Sequence, residues 1–344
     1  MVALFFVNAE ALPSAANRLG FDNPKPLSLN QQNDQRSDQR KDVSANQTVG
    51  GKISLKDRLE LMASKTPRHL SSSLIFDLPV TYNAEVTKWI TNYQTVGRTW
   101  FRKWLERSYK YLPFIQEEFR SANIPTDLAY MAMIESGFSL TAKSSANAVG
   151  PWQFIQSTGV RYGLKVNWWL DERRDLHKST QAAIKYLREL YQEFDSWYLV
   201  AASYNMGEAG LARAIKKHGT RDYWTLVRYG AIPPETREYV PKMIAAILIS
   251  KAPHLYGFRD IEAMDPIETE LISVRGGTDL TQISERIGVT LRSLVDLNSE
   301  LLLARVPIQV ENHFIRVPKG ANKLLAQAHP KAIEKSLRDS ILKF

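Results

Sequence analysis

The sequence predicts a mainly α fold with a small α+β module appended, and three observations lead there. Ala183, Ile184, Leu187, Leu190, Tyr191 and Phe194 recur at three- and four-residue spacings with charges between them. That is the signature of a helix with one buried face. A second such run, Glu235 to Ser250, follows Pro233-Pro234 and carries Met243, Ile244, Ile247 and Leu248 on the same period. Proline favours a helix start, and Pro241 should kink this one. Further on, Leu271–Val274 and Phe314–Val317 alternate as short strands around two helical stretches, Asp279–Ile287 and Leu291–Leu297, with Gly288 as a stop.

The chain has 344 residues, of which 44% are apolar, including 8 Trp, 14 Tyr and 13 Phe, so it can bury a sizeable core. Its length suits about two domains of roughly 100–200 residues each. With 45 Lys plus Arg against 36 Asp plus Glu, the net charge is +9, compatible with an anionic polymer or surface as partner. The same charge also serves simple solubility. The absence of cysteine excludes disulfides, thiolate nucleophiles, cysteine-ligated metals and a lipidated cysteine anchor. Six histidines without a two-histidine ligand spacing argue against a zinc enzyme, and no metal or other cofactor is expected.

The organisation follows from composition along the chain. Residues 1–11 end in Ala9-Glu10-Ala11 after the apolar run Met1 to Val7, which reads as the remnant of a secretory signal without its positive leader. Residues 12–58 form a polar linker, aromatic-free from Asn23 onward, and 59–111 a helical lead-in. A helical domain is expected over 112–251, a connector over 252–270, the α+β module over 271–320 and a basic tail over 321–344.

The stretch Ile124 to Phe138 is the most informative. Pro125-Thr126 opens a helix and Gly137 closes it, so Glu135 occupies its last turn with Ala132, Met131 and Leu128 on its face. An acid at the end of an apolar face loses solvation and holds its proton, as a general acid must. The partial negative charge of the helix C-terminus acts in the same direction. The bland alternative is a solvated glutamate at a fraying end. Between Leu128 and Leu170, Glu135 is the only carboxylate, set among Ser136, Ser144, Ser145, Asn147, Gln153 and the indoles of Trp152, Trp168 and Trp169. Hydroxyls, amides and aromatic faces suit a carbohydrate cleft. A glycosidase with two carboxylates would need a second acid about 5–10 Å away, and none is local.

Four ordered motifs carry a resemblance: Glu135-Ser136-Gly137-Phe138, Gly150-Pro151-Trp152-Gln153-Phe154, Ser203-Tyr204-Asn205-Met206-Gly207 and Glu235-Thr236-Arg237-Glu238-Tyr239-Val240. Over Leu112 to Ser250 the chain resembles the soluble-type lytic transglycosylases, within them the membrane-bound D-type subgroup, through the Trp-Gln-Phe variant and Trp168 to Asp175. The resemblance implies a lysozyme-like helical catalytic domain acting on peptidoglycan glycan strands. Glu135 would be the single acid/base, cleaving the β-1,4 bond after N-acetylmuramic acid and leaving a 1,6-anhydro end. It further implies substrate contacts from Ser136, Ser144, Gln153, Tyr204, Asn205, Glu235 and Tyr239. Plain packing roles compete for Tyr204 and Tyr239. A helix-start preference competes for Glu235. Arg173, Arg174, Asp171 and Asp175 read as a structural ion cluster. Ser203 departs from the alanine usual in the family.

The module at 271–320 resembles LysM, a glycan-binding fold, although Gly277-Thr278-Asp279 inverts the usual order and Arg305 to Asn312 diverges. The expected protein is an exported monomer, peripherally associated with the cell envelope and not anchored through cysteine. A hydrolytic goose-type lysozyme shares the fold and the lone glutamate; a non-catalytic peptidoglycan-binding protein would keep only the cleft. Nucleic acid is disfavoured, because no Lys/Arg run is interleaved with aromatics.

Overall fold

The computed structural model describes residues 76–266 and 268–328. The signal and linker expectations, and most of the basic tail, lie outside the described residues. Among the described residues nine α-helices build the body: α1 Ala84–Gln94, α2 Arg98–Ser121, α3 Tyr130–Ser136, α4 Gln156–Arg161, α5 Leu176–Phe194, α6 Trp197–Met206, α7 Glu208–His218, α8 Tyr223–Arg228 and α9 Pro234–Lys251.

Their ends follow from side-chain chemistry. Asp175 caps α5 by accepting from the amides of His177 and Lys178 at 2.8 and 3.0 Å. Pro234 opens α9 where its missing N–H costs nothing, and the helix runs on through the buried Pro241 to Lys251. Because Val240, Ile244, Ile247 and Leu248 are all buried, α9 lies inside the body, packed on α1, α3 and α6. Trp152 is fully buried, stacked on Phe119 at 5.5 Å, with its indole N–H donating to Thr180 Oγ1 at 3.0 Å.

The helix that carries Glu135 is short. A 3₁₀ turn, Thr126–Ala129, leads into α3, and Gly137 ends it with φ +59°. A side chain there would be strained, and its Cβ would sit 2.0 Å from Trp104 Cδ1. The approach of Trp104 thus selects glycine at this end of α3.

The C-terminal module comprises β1 Thr269–Arg275, α10 Leu280–Ile287, α11 Leu291–Leu297, β2 Asn312–Pro318 and α12 Ala321–Ala328. The strands pair antiparallel from Thr269↔Pro318 to Arg275↔Asn312, which places Ile272 opposite Ile315. Those two residues, with Leu280, Ile283, Leu294 and Val317, form the module's core. The inverted Gly277-Thr278-Asp279 order has a local use: Asp279 caps α10 through the Thr281 amide at 2.8 Å and pairs with Arg305 at 2.7 Å.

This core also contains Leu170, which belongs to the loop before α5. Beside it the backbone is stitched across: the Asp171 amide donates to Glu300 O at 2.9 Å and the Leu302 amide to Trp169 O at 3.0 Å. The Trp169 indole donates to Arg305 O at 2.8 Å, and Arg316 pairs with Asp175 at 3.0 Å. Sequence reading set the module apart behind a connector. In the structure its core is shared with the body.

Candidate active site

Glu135, the next-to-last residue of α3, is 4% exposed. The Tyr239 hydroxyl, reaching in from α9, donates to Glu135 Oε1 at 2.6 Å. Burial drives the Glu135 carboxyl up to about 8; the Tyr239 hydrogen bond works against this, the charge of Glu235 adds to it, and Lys242 opposes it. Glu235, Tyr239 and Lys242 stand at i, i+4 and i+7 of α9, so one face of a single helix supplies the donor and both charges.

The other expected residues are placed around this acid in different ways. Tyr204, near the end of α6, is held well above its usual range by burial and by Glu135, and its hydroxyl donates to Trp152 O at 2.7 Å. Asn205 Oδ1 accepts from Thr236 Oγ1 at 2.8 Å, tying α6 to the first turn of α9. Ser136 turns along α3 instead: its hydroxyl donates to Pro151 O at 3.0 Å and accepts from the Ser139 amide at 3.1 Å. Ser144 is half-buried, and its hydroxyl accepts from the Ala148 amide at 3.1 Å. The Gln153 amide group donates to Gly150 O at 2.7 Å and Ala142 O at 3.2 Å. Ser144 and Gln153 therefore sit on one folded loop, 142–154, braced by the bridges Lys143↔Val149 and Val149↔Phe154.

Arg173 holds that loop in place. Its Nε and Nη2 fork onto Asp171 at 2.9 and 2.8 Å, while Nη1 donates to Asn147 O and Phe154 O at 3.0 and 3.1 Å. Both side chains are buried. Gly150, with φ +85°, passes so close that a Cβ would lie 1.9 Å from Arg173 O. The expected ion cluster is thus structural in its contacts, and its task is to support the loop beside the acid.

Sequence reading missed Lys242, which looks like an ordinary solvated lysine. Its i−4 neighbour, Glu238, is occupied by Lys88 at 2.7 Å and by the Trp89 indole N–H. The Lys242 ammonium lies over the Trp89 ring at 4.5 Å. Counting seven residues from Glu235 was the available signal. Among the described residues no three His, Asp or Glu side chains converge as a metal-ligand set.

A protonated acid can donate; once ionised, it is stabilised by the Tyr239 hydroxyl and by Lys242, so it can take a proton back. Because the Tyr239 hydrogen bond favours the carboxylate, Tyr239→Phe raises the Glu135 pKa. The alkaline limb of any activity that needs the protonated acid therefore moves upward from about pH 8. The maximal rate falls by roughly tenfold as the ionised form loses its donor. A pH–rate profile of the variant checks both; a limb that moves downward contradicts the assignment.

Residues 113–227 match the transglycosylase SLT domain family. The chain is 34% identical over 198 residues to membrane-bound lytic murein transglycosylase D of Escherichia coli (strain K12), covering 56% of this chain and 43% of that protein. The counterpart from Escherichia coli O6:H1 matches to the same extent. This chain thus spans less than half the length of these two relatives. Among solved structures, the 70 kDa soluble lytic transglycosylase of Escherichia coli aligns at 23% identity and TM-score 0.36, over 42% of this chain and 24% of its own. The residues that match the transglycosylase SLT domain family include Glu135 and its supporting loop.

Proposed function

We propose that the chain is a peptidoglycan lytic transglycosylase that cleaves the β-1,4 bond between N-acetylmuramic acid and N-acetylglucosamine. The observation that carries this reading is a buried carboxyl, Glu135, pushed up to about 8 and hydrogen-bonded by Tyr239, within the residues that match the SLT domain family.

Glu135 donates its proton to the glycosidic oxygen as the C1–O bond breaks. The ionised Glu135 then removes the proton of the muramyl C6 hydroxyl as that oxygen bonds C1. The proton returns to the acid, no water is consumed, and the product carries a 1,6-anhydro ring. Two electrostatic partners of opposite effect, Glu235 and Lys242, suit an acid that must give and regain its proton within one turnover. Tyr204, Asn205, Gln153, Ser144 and Ser136 shape the wall along which the sugars lie, and Glu235 closes it from α9.

The C-terminal module is assigned to glycan binding as a LysM-like fold, working as a fixed extension of the body through the shared Leu170 core. The site of action is the cell wall, at the envelope, in keeping with the relative named as membrane-bound. No helix among the described residues is long and apolar enough to cross a membrane. Purified sacculi test the activity: the chain clears their turbidity without added cofactor, and sacculi that stay intact across pH 5–9 contradict it.

A further inference from the structure

Away from Glu135, a cavity of about 210 Å³ opens where the module meets the body. Its lining comes from both: Lys110 and Phe114 of α2, Leu140, and Arg174 to His177 at the head of α5, against Thr269, Leu297 and Arg316 of the module. The cavity exists only because the two parts are docked, and the seam contacts described above fix its shape.

The charges in it do not balance locally. Asp175 is fully engaged: Oδ1 caps α5 and Oδ2 takes Arg316. Asp296 pairs with Arg292 at 3.1 Å. Arg174 reaches only to within 4.0 Å of Asp171, whose carboxylate is already forked by Arg173. Its Nε is buried without a hydrogen-bond partner. Lys110 faces the Tyr111 ring at 5.1 Å. His177 packs on Phe114 at 3.9 Å; burial and Arg316 hold its imidazole down at about 4, so it is neutral and adds no charge of either sign. Two cations, Lys110 and Arg174, thus border a cavity whose carboxylates are committed elsewhere. Apart from Thr269, the remaining walls are apolar and aromatic, among them Tyr111, Phe114, Leu140, Leu176 and Leu297.

We propose that this seam cavity is a binding site for a small carboxylate attached to an apolar body, the carboxylate set against Lys110 and Arg174 and the apolar part against Phe114, Leu140 and Leu297. Guanidinium presents paired N–H groups in the geometry of a carboxylate. The volume is below the roughly 300–1,000 Å³ typical of drug-sized sites, which restricts the occupant to a small acid. The largely apolar wall disfavours a fully hydrated, multiply charged anion such as phosphate.

Titration of the full chain with benzoate, benzamide and inorganic phosphate, followed by the amide resonances of Leu140 and Thr269, tests the site. Benzoate binds at least about tenfold more tightly than its neutral isostere benzamide and than phosphate. The double variant Lys110→Met/Arg174→Met weakens benzoate to the benzamide level. Leu140→Trp, which fills the cavity and leaves the charges in place, abolishes both. Equal binding of benzoate and benzamide, phosphate binding as tight as benzoate, or benzoate affinity that survives these variants overturns the proposal.

Discussion

Replacing Glu135 with Gln lowers glycan cleavage by at least roughly 10²–10⁴-fold, the range that a positioned acid or base supplies. The amide keeps the shape of the side chain and can still meet the Tyr239 hydroxyl, so the loss comes from the missing proton and not from collapse of the site. Stability gives an independent reading of the same group. In the folded chain burial pushes the Glu135 carboxyl up to about 8 from its ordinary value of 4.5. A folded pKa raised in this way contributes stability that is fully present below the unfolded pKa and is lost as pH rises through the folded one. Glu135→Gln has no such dependence. The variant is therefore more stable than the parent above about pH 8, by an order of a few kcal/mol, and the difference closes near pH 4. Urea unfolding at pH 4 and pH 9 checks this. A variant with parental activity, or one destabilised equally at both pH values, contradicts a buried, proton-holding acid.

Arg173→Ala is the second large effect, and it acts on the fold. The substitution leaves the buried Asp171 carboxylate without its cation and strips Asn147 O and Phe154 O of their donor. Breaking a buried pair from one side costs about 3–5 kcal/mol, because the remaining charge stays desolvated. Lysine recovers little, since a single ammonium cannot reproduce a fork that reaches one carboxylate and two carbonyls at once. Removing both charges together, as in Asp171→Asn/Arg173→Met, recovers part of the loss. Denaturant midpoints at neutral pH measure the series. Activity falls alongside stability, as the 142–154 loop loses the brace that presents Ser144 and Gln153. If Arg173→Ala loses under 1 kcal/mol, the loop does not depend on this staple.

The site was legible in the sequence to the degree that it depends on local chemistry. Glu135 could be placed in a last turn because Pro125 and Gly137 bracket α3, and its solvation could be judged from its apolar face. The strands around Ile272 and Ile315 announced themselves by alternation, and the end of α10 by Gly288. What stayed hidden depends on partners far away in the chain. Leu170 looks like any apolar residue beside two tryptophans, and only the fold reveals that it fills the core of another module. Lys242 reads as a solvated charge because nothing local shows that Glu238 is already engaged by α1. The hydroxyl of Ser136 and the amide of Gln153 suggested exposed sugar contacts, yet in the structure they also bond backbone carbonyls of the neighbouring turn.

In the proposed reaction one buried carboxyl serves as both acid and base, and the substrate's own hydroxyl replaces water. Mass spectrometry of the soluble fragments released from purified sacculi tests it most directly. The proposed reaction gives muramyl ends lighter by one water than their hydrolysed counterparts, resistant to borohydride reduction, and absent when Glu135→Gln is used. Reducing muramyl ends as the main product would contradict it and identify water as the nucleophile.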